Sequence, residues 1–171
     1  MGIKLIRRSL LATLLLGVAG AWLWLVWLEP SYGGGPFSLV EDGLYVGSYV
    51  KKPPPGTKAV VNLCGQKDCY QAEASLWEPI LEGGKAPDIS WLRHVVDFIS
   101  AQRRAGRTTY VHCLAGMNRS GMVTIAYLMQ EHGWSRDKAL TFLRSKRTQI
   151  QPNPALMRLL AEWEQTLNQK G

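Results

Sequence analysis

The 171-residue sequence predicts an α/β fold, a single small domain whose central, mainly parallel sheet is flanked by helices. The first observation is that short runs rich in β-branched and aromatic residues alternate with longer runs whose apolar residues recur at helical spacing. This alternation is typical of parallel sheets covered by helices. The second observation is an uncharged apolar run near the amino terminus, which predicts a transmembrane helix ahead of the domain.

The predicted elements follow the chain in order. We expect strands near residues 44–46, 59–63, 75–79 and 109–112, and helices near residues 89–104, 120–132, 136–146 and 154–168. Helices that connect parallel strands should cover both faces of the sheet. The last helix carries a packing face of apolar residues at helical spacing, namely Leu156, Leu159, Leu160, Trp163 and Leu167.

The amino-terminal part divides into a basic segment (1–8), a transmembrane anchor (9–28) and a Gly/Pro-rich linker (29–41), before a domain at 42–168. The anchor has about the length that a helix needs to cross a bilayer. Indoles, which prefer the membrane interface, cluster near its far end at Trp22, Trp24 and Trp27. Cations precede the anchor, so we expect a single-pass protein with a cytoplasmic amino terminus and an extracytoplasmic domain.

A cleaved signal peptide is the alternative to a retained anchor. The sequence Ala19-Gly20-Ala21 resembles a signal-peptide cleavage site, and cleavage would give a secreted protein. The new terminus would then begin with the apolar run from Trp22 to Leu28, whereas mature proteins usually begin with polar residues. We therefore favour retention of the anchor.

The segment from His112 to Gly121 carries the most informative residues, in the order His112-Cys113-Leu114-Ala115-Gly116-Met117-Asn118-Arg119-Ser120-Gly121. It lies between a predicted strand and a predicted helix. A loop that closes onto a helix amino terminus points backbone N–H groups inward and adds the positive end of the helix dipole. A cysteine in that field has a lowered pKa and is largely thiolate, so Cys113 is the predicted nucleophile.

The other residues of this loop suit a bound phosphate. Arg119, six positions after the cysteine, can bind two phosphate oxygens bidentately. Ser120 can donate its hydroxyl to the Cys113 sulfur, which makes that sulfur a better leaving group. The remaining phosphate-binding positions are Leu114, Ala115, Gly116, Met117 and Asn118. The pattern predicts metal-independent hydrolysis of phosphomonoesters through a phosphocysteine, with no cofactor.

These residues resemble the HCxxGxxRS signature of the cysteine-dependent protein tyrosine phosphatase superfamily. The rest of the chain, from about Asp42 to about Leu167, is similar to the compact dual-specificity branch of that superfamily. The resemblance implies a phosphatase domain that acts on phosphotyrosine and/or phosphoserine and phosphothreonine in proteins. It also implies that the segment from Trp77 to Gly84 carries a general acid.

The identity of the general acid is open at this point. The resemblance implies an aspartate about thirty residues before the nucleophile, and Glu82 stands at that place. Asp88 is the competitor, although its position just before a predicted helix is also natural for a helix N-cap. The third alternative is that neither residue acts, because the leaving group needs no acid.

Four further residues are candidates for supporting roles. His112, Asn62 and Asn153 can hold the phosphate loop by hydrogen bonds, although Asn153 is also placed to cap the helix that Pro154 begins. Cys64 ends a strand expected beside that of Cys113, and the resemblance implies that a cysteine there can form a reversible disulfide with the nucleophile. The alternatives are a buried thiol at Cys64 or a disulfide with Cys69.

The charge pattern limits the partners. The formal net charge is +7, which suits phosphorylated or anionic-lipid substrates. No basic surface with interleaved aromatic residues is visible, so we expect no nucleic-acid partner, and the oligomeric state is not predicted. We expect a phosphorylated protein or, as the alternative, a phospholipid headgroup at the membrane. A non-catalytic phosphate-binding module is the third possibility, because glutamate replaces the expected aspartate.

Overall fold

The computed structural model describes residues 35–169 and contains a five-stranded mixed sheet. Its strands are β1 (Phe37–Glu41), β2 (Leu44–Ser48), β3 (Ala59–Asn62), β4 (Ala74–Trp77) and β5 (Thr109–Cys113). They lie in the order β1-β2-β5-β3-β4, with β1 antiparallel to β2 and every other neighbouring pair parallel. The prediction of a mainly parallel sheet flanked by helices is confirmed.

The helices of the described residues are α1 (Ile89–Arg104), α2 (Arg119–His132), α3 (Arg136–Lys146) and α4 (Pro154–Asn168). Helix α2 is buried from Arg119 to Met129, because it contacts strand β5 and all three other helices. The core cluster joins these helices to the side of β5 that carries Val111 and Cys113.

The opposite face of the sheet carries Tyr110 and His112, because successive side chains of a strand point to opposite faces. Their rings stack with centroids 5.0 Å apart, and the rings of Phe37 and Tyr49 pack against them. Among the described residues this face is therefore covered by aromatic side chains. The apolar core that the helices share with the sheet includes Val111 and Cys113, on the other face of β5.

The prediction of a linker at 29–41 is wrong for residues 37–41, because these residues form strand β1. Phe37 pairs with Gly47, and the carbonyl of Pro36 accepts hydrogen bonds from the Ser48 N–H and hydroxyl at 2.8 and 3.0 Å. These partners lie about ten positions away in sequence, so the Gly/Pro-rich composition of the segment conceals the strand. The rest of the linker up to residue 34, the basic segment and the predicted anchor lie outside the described residues.

Within residues 35–169, no helix has the length and apolarity that crossing a membrane requires.

The parallel strands all end at one edge of the sheet, which we call the carboxyl edge. Ser48 lies opposite Cys113, and Asn62 lies opposite both His112 and Trp77. The loops that follow β2, β3, β4 and β5 therefore meet there, at the edge where open α/β sheets bind ligands.

Candidate active site

The loop between β5 and α2 is held in shape by Gly116. This residue has a φ of 68°, in the left-handed region that favours glycine. A Cβ atom at this position would lie 2.3 Å from the carbonyl carbon of Gly47 in β2. Only glycine therefore lets the loop close against β2 and bend round the Cys113 sulfur.

The Cys113 side chain is almost fully buried at the centre of this loop. The Gly116 N–H donates a hydrogen bond to its sulfur at 3.3 Å, and the Ser120 hydroxyl lies 3.3 Å from the same atom. Burial by itself raises the pKa of the thiol. Hydrogen bonds from the Ser120 hydroxyl and from the N–H groups of Ser120, Gly116 and Met117 outweigh that effect, so the pKa of Cys113 is lowered. These donors are placed to stabilise a thiolate at Cys113.

Arg119 begins α2 and is 5% exposed. Its Nη1 donates to the carbonyl of Ile80 at 2.8 Å, and its Nη2 lies 2.5 Å from Oε2 of Glu82. Its Nε is buried and makes no hydrogen bond to any described residue. A buried cationic donor of this kind is costly unless it meets an acceptor, and a phosphate oxygen is such an acceptor.

Glu82 lies at the mouth of the cleft that contains Cys113. The cleft has a volume of about 570 Å³, and its walls include Ala115, Met117 and Asn118 of the loop. Both oxygens of the Glu82 carboxylate are engaged, because Asn118 Nδ2 donates to Oε1 at 2.9 Å while Oε2 pairs with Arg119. The structure therefore brings together Cys113, Arg119, Asn118 and Glu82.

Asp88 is not among the residues that line this cleft. Its carboxylate caps α1, accepting hydrogen bonds from the Ser90 hydroxyl at 2.6 Å and the Trp91 N–H at 2.9 Å. These two hydrogen bonds, that of Ser90 first, lower the pKa of Asp88 and hold it ionised. The geometry favours the helix-capping interpretation of Asp88 and leaves Glu82 as the carboxyl group beside the nucleophile.

His112 and Asn62, which the sequence predicts to support the phosphate loop, both contact the neighbouring loop that follows β3. His112 is buried with Nε2 at 3.0 Å from Oδ1 of Asp68. Asn62 holds the loop after β3, accepting from the Cys64 N–H at 2.7 Å and donating to the carbonyl of Gln66 at 3.0 Å. That loop is adjacent to the phosphate loop rather than part of it.

Asn153 combines both roles that the sequence suggests. Its side chain caps α4 by accepting from the Leu156 N–H at 3.0 Å. Its own N–H donates to Oδ1 of Asn118 in the phosphate loop at 2.8 Å. The Asn118 amide therefore bridges Glu82 on one side and Asn153 on the other.

Arg147 is a supporting residue that the sequence reasoning did not single out. It is 3% exposed, and its Nε donates to the carbonyl of Gly116 at 2.7 Å. Its Nη1 donates to the carbonyl of Gly35 at 2.9 Å, so one guanidinium joins the phosphate loop to the start of the described chain. Burial lowers the pKa of Arg147. The sequence did carry one signal for this region. Residues 147–153 resemble the segment that packs against the phosphate loop in members of the superfamily.

Cys64 lies next to the site without touching the cleft. It is buried, its sulfur lies 3.9 Å from Nδ1 of His112, and burial raises its pKa to about 11. Cys64, Cys69 and Cys113 are all free thiols, so the alternative of a Cys64–Cys69 disulfide is not present in this structure. The redox role of Cys64 stays a prediction.

Comparison with known proteins decides the family. The family described as "Dual specificity phosphatase, catalytic domain" matches residues 45–166. The chain belongs to the dual-specificity phosphatase family. Human "Dual specificity protein phosphatase 1" is 36% identical over 86 residues, which cover 50% of this chain and 23% of that protein. The chain thus spans less than a quarter of the length of this curated relative.

Two solved structures share this dual-specificity phosphatase fold. A mouse putative dual specificity phosphatase complexed with zinc tungstate has a TM-score of 0.72 and is 29% identical, covering 84% of this chain and 96% of its own. PTPMT1 in complex with PI(5)P has a TM-score of 0.72 and is 19% identical, covering 80% of this chain and 99% of its own. At that identity, the second likeness concerns the fold alone.

Proposed function

We propose that this chain is a membrane-anchored phosphatase that hydrolyses phosphomonoesters through a phosphocysteine at Cys113. The observation that carries the proposal is the buried Cys113 thiol with a lowered pKa, placed in one cleft with Arg119 and Glu82. Membership of the dual-specificity phosphatase family supports the same reaction.

In the first step, the Cys113 thiolate attacks the phosphorus atom, so that an S–P bond forms while the bond to the leaving oxygen breaks. Glu82, in its protonated form, donates its proton to that oxygen. The amide groups of the loop and Arg119 stabilise the negative charge on the three transferring oxygens. Because Arg119 pairs with Glu82 before substrate binds, the incoming phosphate must replace the carboxylate on the guanidinium.

In the second step, water attacks the phosphocysteine and the Glu82 carboxylate accepts its proton. Inorganic phosphate leaves, and the sulfur is released as a thiolate. The Ser120 hydroxyl, 3.3 Å from the sulfur, stabilises that thiolate and makes it a better leaving group. Neither step requires a metal ion or a cofactor.

The substrate class rests on two lines of support. The human relative named above is a protein phosphatase, which favours phosphotyrosine or phosphoserine and phosphothreonine residues in proteins. A phospholipid headgroup is the second candidate, because the apolar run at residues 9–28 is suited to hold the domain at a bilayer. PTPMT1, a protein of the same fold, has been solved in complex with PI(5)P.

The experiment that tests the reaction is hydrolysis of p-nitrophenyl phosphate by the full chain, with and without a chelator. We expect turnover that the chelator does not change and that Cys113→Ser abolishes. Turnover that survives Cys113→Ser would refute the mechanism. Membrane topology is tested by protease protection in sealed vesicles, where we expect the domain to lie on the side opposite the amino terminus.

A phosphate-binding module without turnover is the competing function, and the Arg119–Glu82 pair is the observation that favours it. An ionised glutamate on the phosphate clamp is not a proton donor, so the first step would fail and the chain would bind phosphomonoesters without releasing their alcohol. Saturable binding of a phosphomonoester without release of its alcohol would support this function over the phosphatase.

A further inference from the structure

The inference concerns the side chain of Asn118, which lies at the N-cap position of α2. Asparagine at this position normally accepts a hydrogen bond from a backbone N–H of the first helical turn. Within residues 35–169, the Asn118 side chain makes no such bond. It contacts Glu82 and Asn153 instead, and all three residues line the cleft that contains Cys113. The contacts of this side chain therefore do not serve the helix that it precedes.

The contact with Asn153 fixes the orientation of the Asn118 amide. A backbone N–H can only donate, so the atom that lies 2.8 Å from the Asn153 nitrogen is the amide oxygen, Oδ1. Nδ2 of the same amide then faces Glu82 and donates to Oε1 at 2.9 Å. Asn153 is itself held at the start of α4, where its side chain accepts from the Leu156 N–H. The donor that meets Glu82 is therefore oriented by α4 and does not depend on Glu82.

The Glu82 side chain has few restraints of its own. It is 61% exposed and is followed in the chain by Gly83 and Gly84. Among the described residues, its carboxylate meets Asn118 through Oε1 and Arg119 through Oε2. In the proposed reaction the substrate phosphate replaces the carboxylate on Arg119, so the second contact ends when substrate binds. The hydrogen bond from Asn118 is the contact that remains.

We propose that Asn118 is the positioning residue for the general acid, and that Oε2 is the Glu82 oxygen that transfers the proton. This inference rests on the proposed function, in which Glu82 protonates the leaving oxygen. Oε1 accepts from Asn118, which leaves the proton of the acid form on Oε2, the oxygen that substrate separates from Arg119. In the first step the S–P bond forms, the P–O bond to the leaving group breaks, and the leaving oxygen takes the proton from Oε2. Asn118 holds Oε1 and exchanges no proton.

A glutamate in this role needs such a restraint more than an aspartate does. Its carboxyl group lies one methylene farther from the backbone and has one more rotatable bond, so ordering it costs more conformational entropy. A general acid acts within hydrogen-bond reach of the leaving oxygen, and a displacement of about 1 Å can lower the rate by about 10²-fold. The hydrogen bond from Asn118 restricts the Glu82 carboxyl group to the cleft.

The test compares two aryl phosphates, hydrolysed by the full chain, that differ in their need for an acid. Phenyl phosphate has a poor leaving group that needs a proton, whereas p-nitrophenyl phosphate has a good one. The measured quantity is kcat/KM, which reports the barrier from free enzyme and substrate to the first transition state. Asn118→Ala removes both hydrogen bonds of the amide. Asn118→Asp keeps an oxygen that can accept from the Asn153 N–H and removes the donor to Glu82.

The matched control is Asn153→Ala. This change removes the side-chain cap of α4 but keeps the backbone N–H that Asn118 accepts, so it measures the effect of loosening α4 alone. Glu82→Gln supplies the reference for complete loss of the acid. The double variant Glu82→Gln/Asn118→Ala shows whether Asn118 acts through Glu82.

We expect both Asn118 variants to lower kcat/KM for phenyl phosphate about tenfold more than for p-nitrophenyl phosphate, the effect of one hydrogen bond to a charged group. Asn153→Ala should change the two rates by the same factor. Adding Asn118→Ala to Glu82→Gln should leave the ratio of the two rates where Glu82→Gln alone puts it, because the acid is already absent.

An unchanged ratio in Asn118→Ala would overturn the inference. So would a ratio that changes in Asn118→Ala but not in Asn118→Asp, or one that Asn153→Ala changes as much, because Asn118 would then act by holding α4. Additive changes in the double variant would show that Asn118 acts independently of Glu82 and would overturn it as well. A ratio that Glu82→Gln leaves unchanged would instead refute Glu82 as the acid, and absence of p-nitrophenyl phosphate turnover by the wild type would refute the proposed function itself.

Discussion

Replacing Glu82 by glutamine separates the two effects that this carboxylate has on the site. Glutamine keeps the size of the side chain but can neither donate the proton that the leaving oxygen needs nor pair as an anion with Arg119. A positioned general acid contributes about 10²–10⁴ in rate. We therefore expect kcat on phenyl phosphate, which has a poor leaving group, to fall by about that factor, and kcat on p-nitrophenyl phosphate to fall less.

Loss of the negative charge of Glu82 should lower the rate of catalysis but strengthen the binding of phosphate. Glu82 is 61% exposed, so its pair with Arg119 is worth about 1 kcal/mol or less despite the 2.5 Å separation. Freeing Arg119 should therefore strengthen inhibition by inorganic phosphate by at most about fivefold. A variant that turns over slowly while binding phosphate at least as tightly as the wild type would identify Glu82 as the acid.

Asp88→Asn is the matched control for this experiment. Asparagine caps a helix about as well as aspartate does, so the fold and kcat should both be unchanged. Steady-state kinetics with the two aryl phosphates, and phosphate inhibition constants, supply the measurements. The assignment is refuted if Glu82→Gln keeps wild-type kcat on phenyl phosphate, or if Asp88→Asn is the more damaging change.

Three further predictions concern the loop around the nucleophile. Ser120→Ala removes a hydrogen bond to the Cys113 thiolate and should raise the pKa of that thiol; because activity needs the thiolate, kcat/KM should fall most at low pH and recover as pH rises. Arg147→Met leaves the carbonyls of the phosphate loop without their buried donor and should lower the free energy of unfolding by about 3 kcal/mol, measured by chemical denaturation. Mild peroxide should link Cys64 to Cys113, seen by mass spectrometry, and Cys69→Ser should not prevent it.

Control variants accompany two of these predictions, and each prediction has an outcome that would contradict it. Ser100→Ala removes another buried hydroxyl, far from the loop in sequence, and should leave the acid limb of the pH profile where it is. Arg104→Met changes an exposed arginine and should cost little stability. An unshifted acid limb in Ser120→Ala, an unfolding free energy unaltered by Arg147→Met, or oxidised protein without a Cys64–Cys113 link would each contradict its prediction.

The phosphate loop could be predicted from the sequence because its geometry is local. Cys113, Gly116, Arg119 and Ser120 lie within eight positions, between a strand and a helix that their own side chains indicate. The amide groups that lower the pKa of Cys113 come from the same short segment. No contact distant in sequence is needed to derive this part of the site.

The parts that sequence reasoning missed depend on contacts between distant positions. Strand β1 exists because Phe37 pairs with Gly47 and Ser48 binds Pro36, whereas the composition of its own segment suggests a linker. Arg147 is 31 positions from Gly116 and 112 from Gly35, so the composition of its own segment does not show that its guanidinium binds both of them. The choice between Glu82 and Asp88 likewise depends on the path of the loop after β4, because that path decides which carboxylate lies in the cleft. The composition of the loop does not show it.

The central claim is that the Cys113 sulfur itself carries the phosphoryl group. The most direct measurement is rapid acid quenching of the full chain during turnover of p-nitrophenyl phosphate, followed by mass spectrometry of the peptide that contains Cys113. We expect phosphate on Cys113, and none in Cys113→Ser. Sustained turnover with an unmodified Cys113, or with phosphate on another residue, would contradict the mechanism.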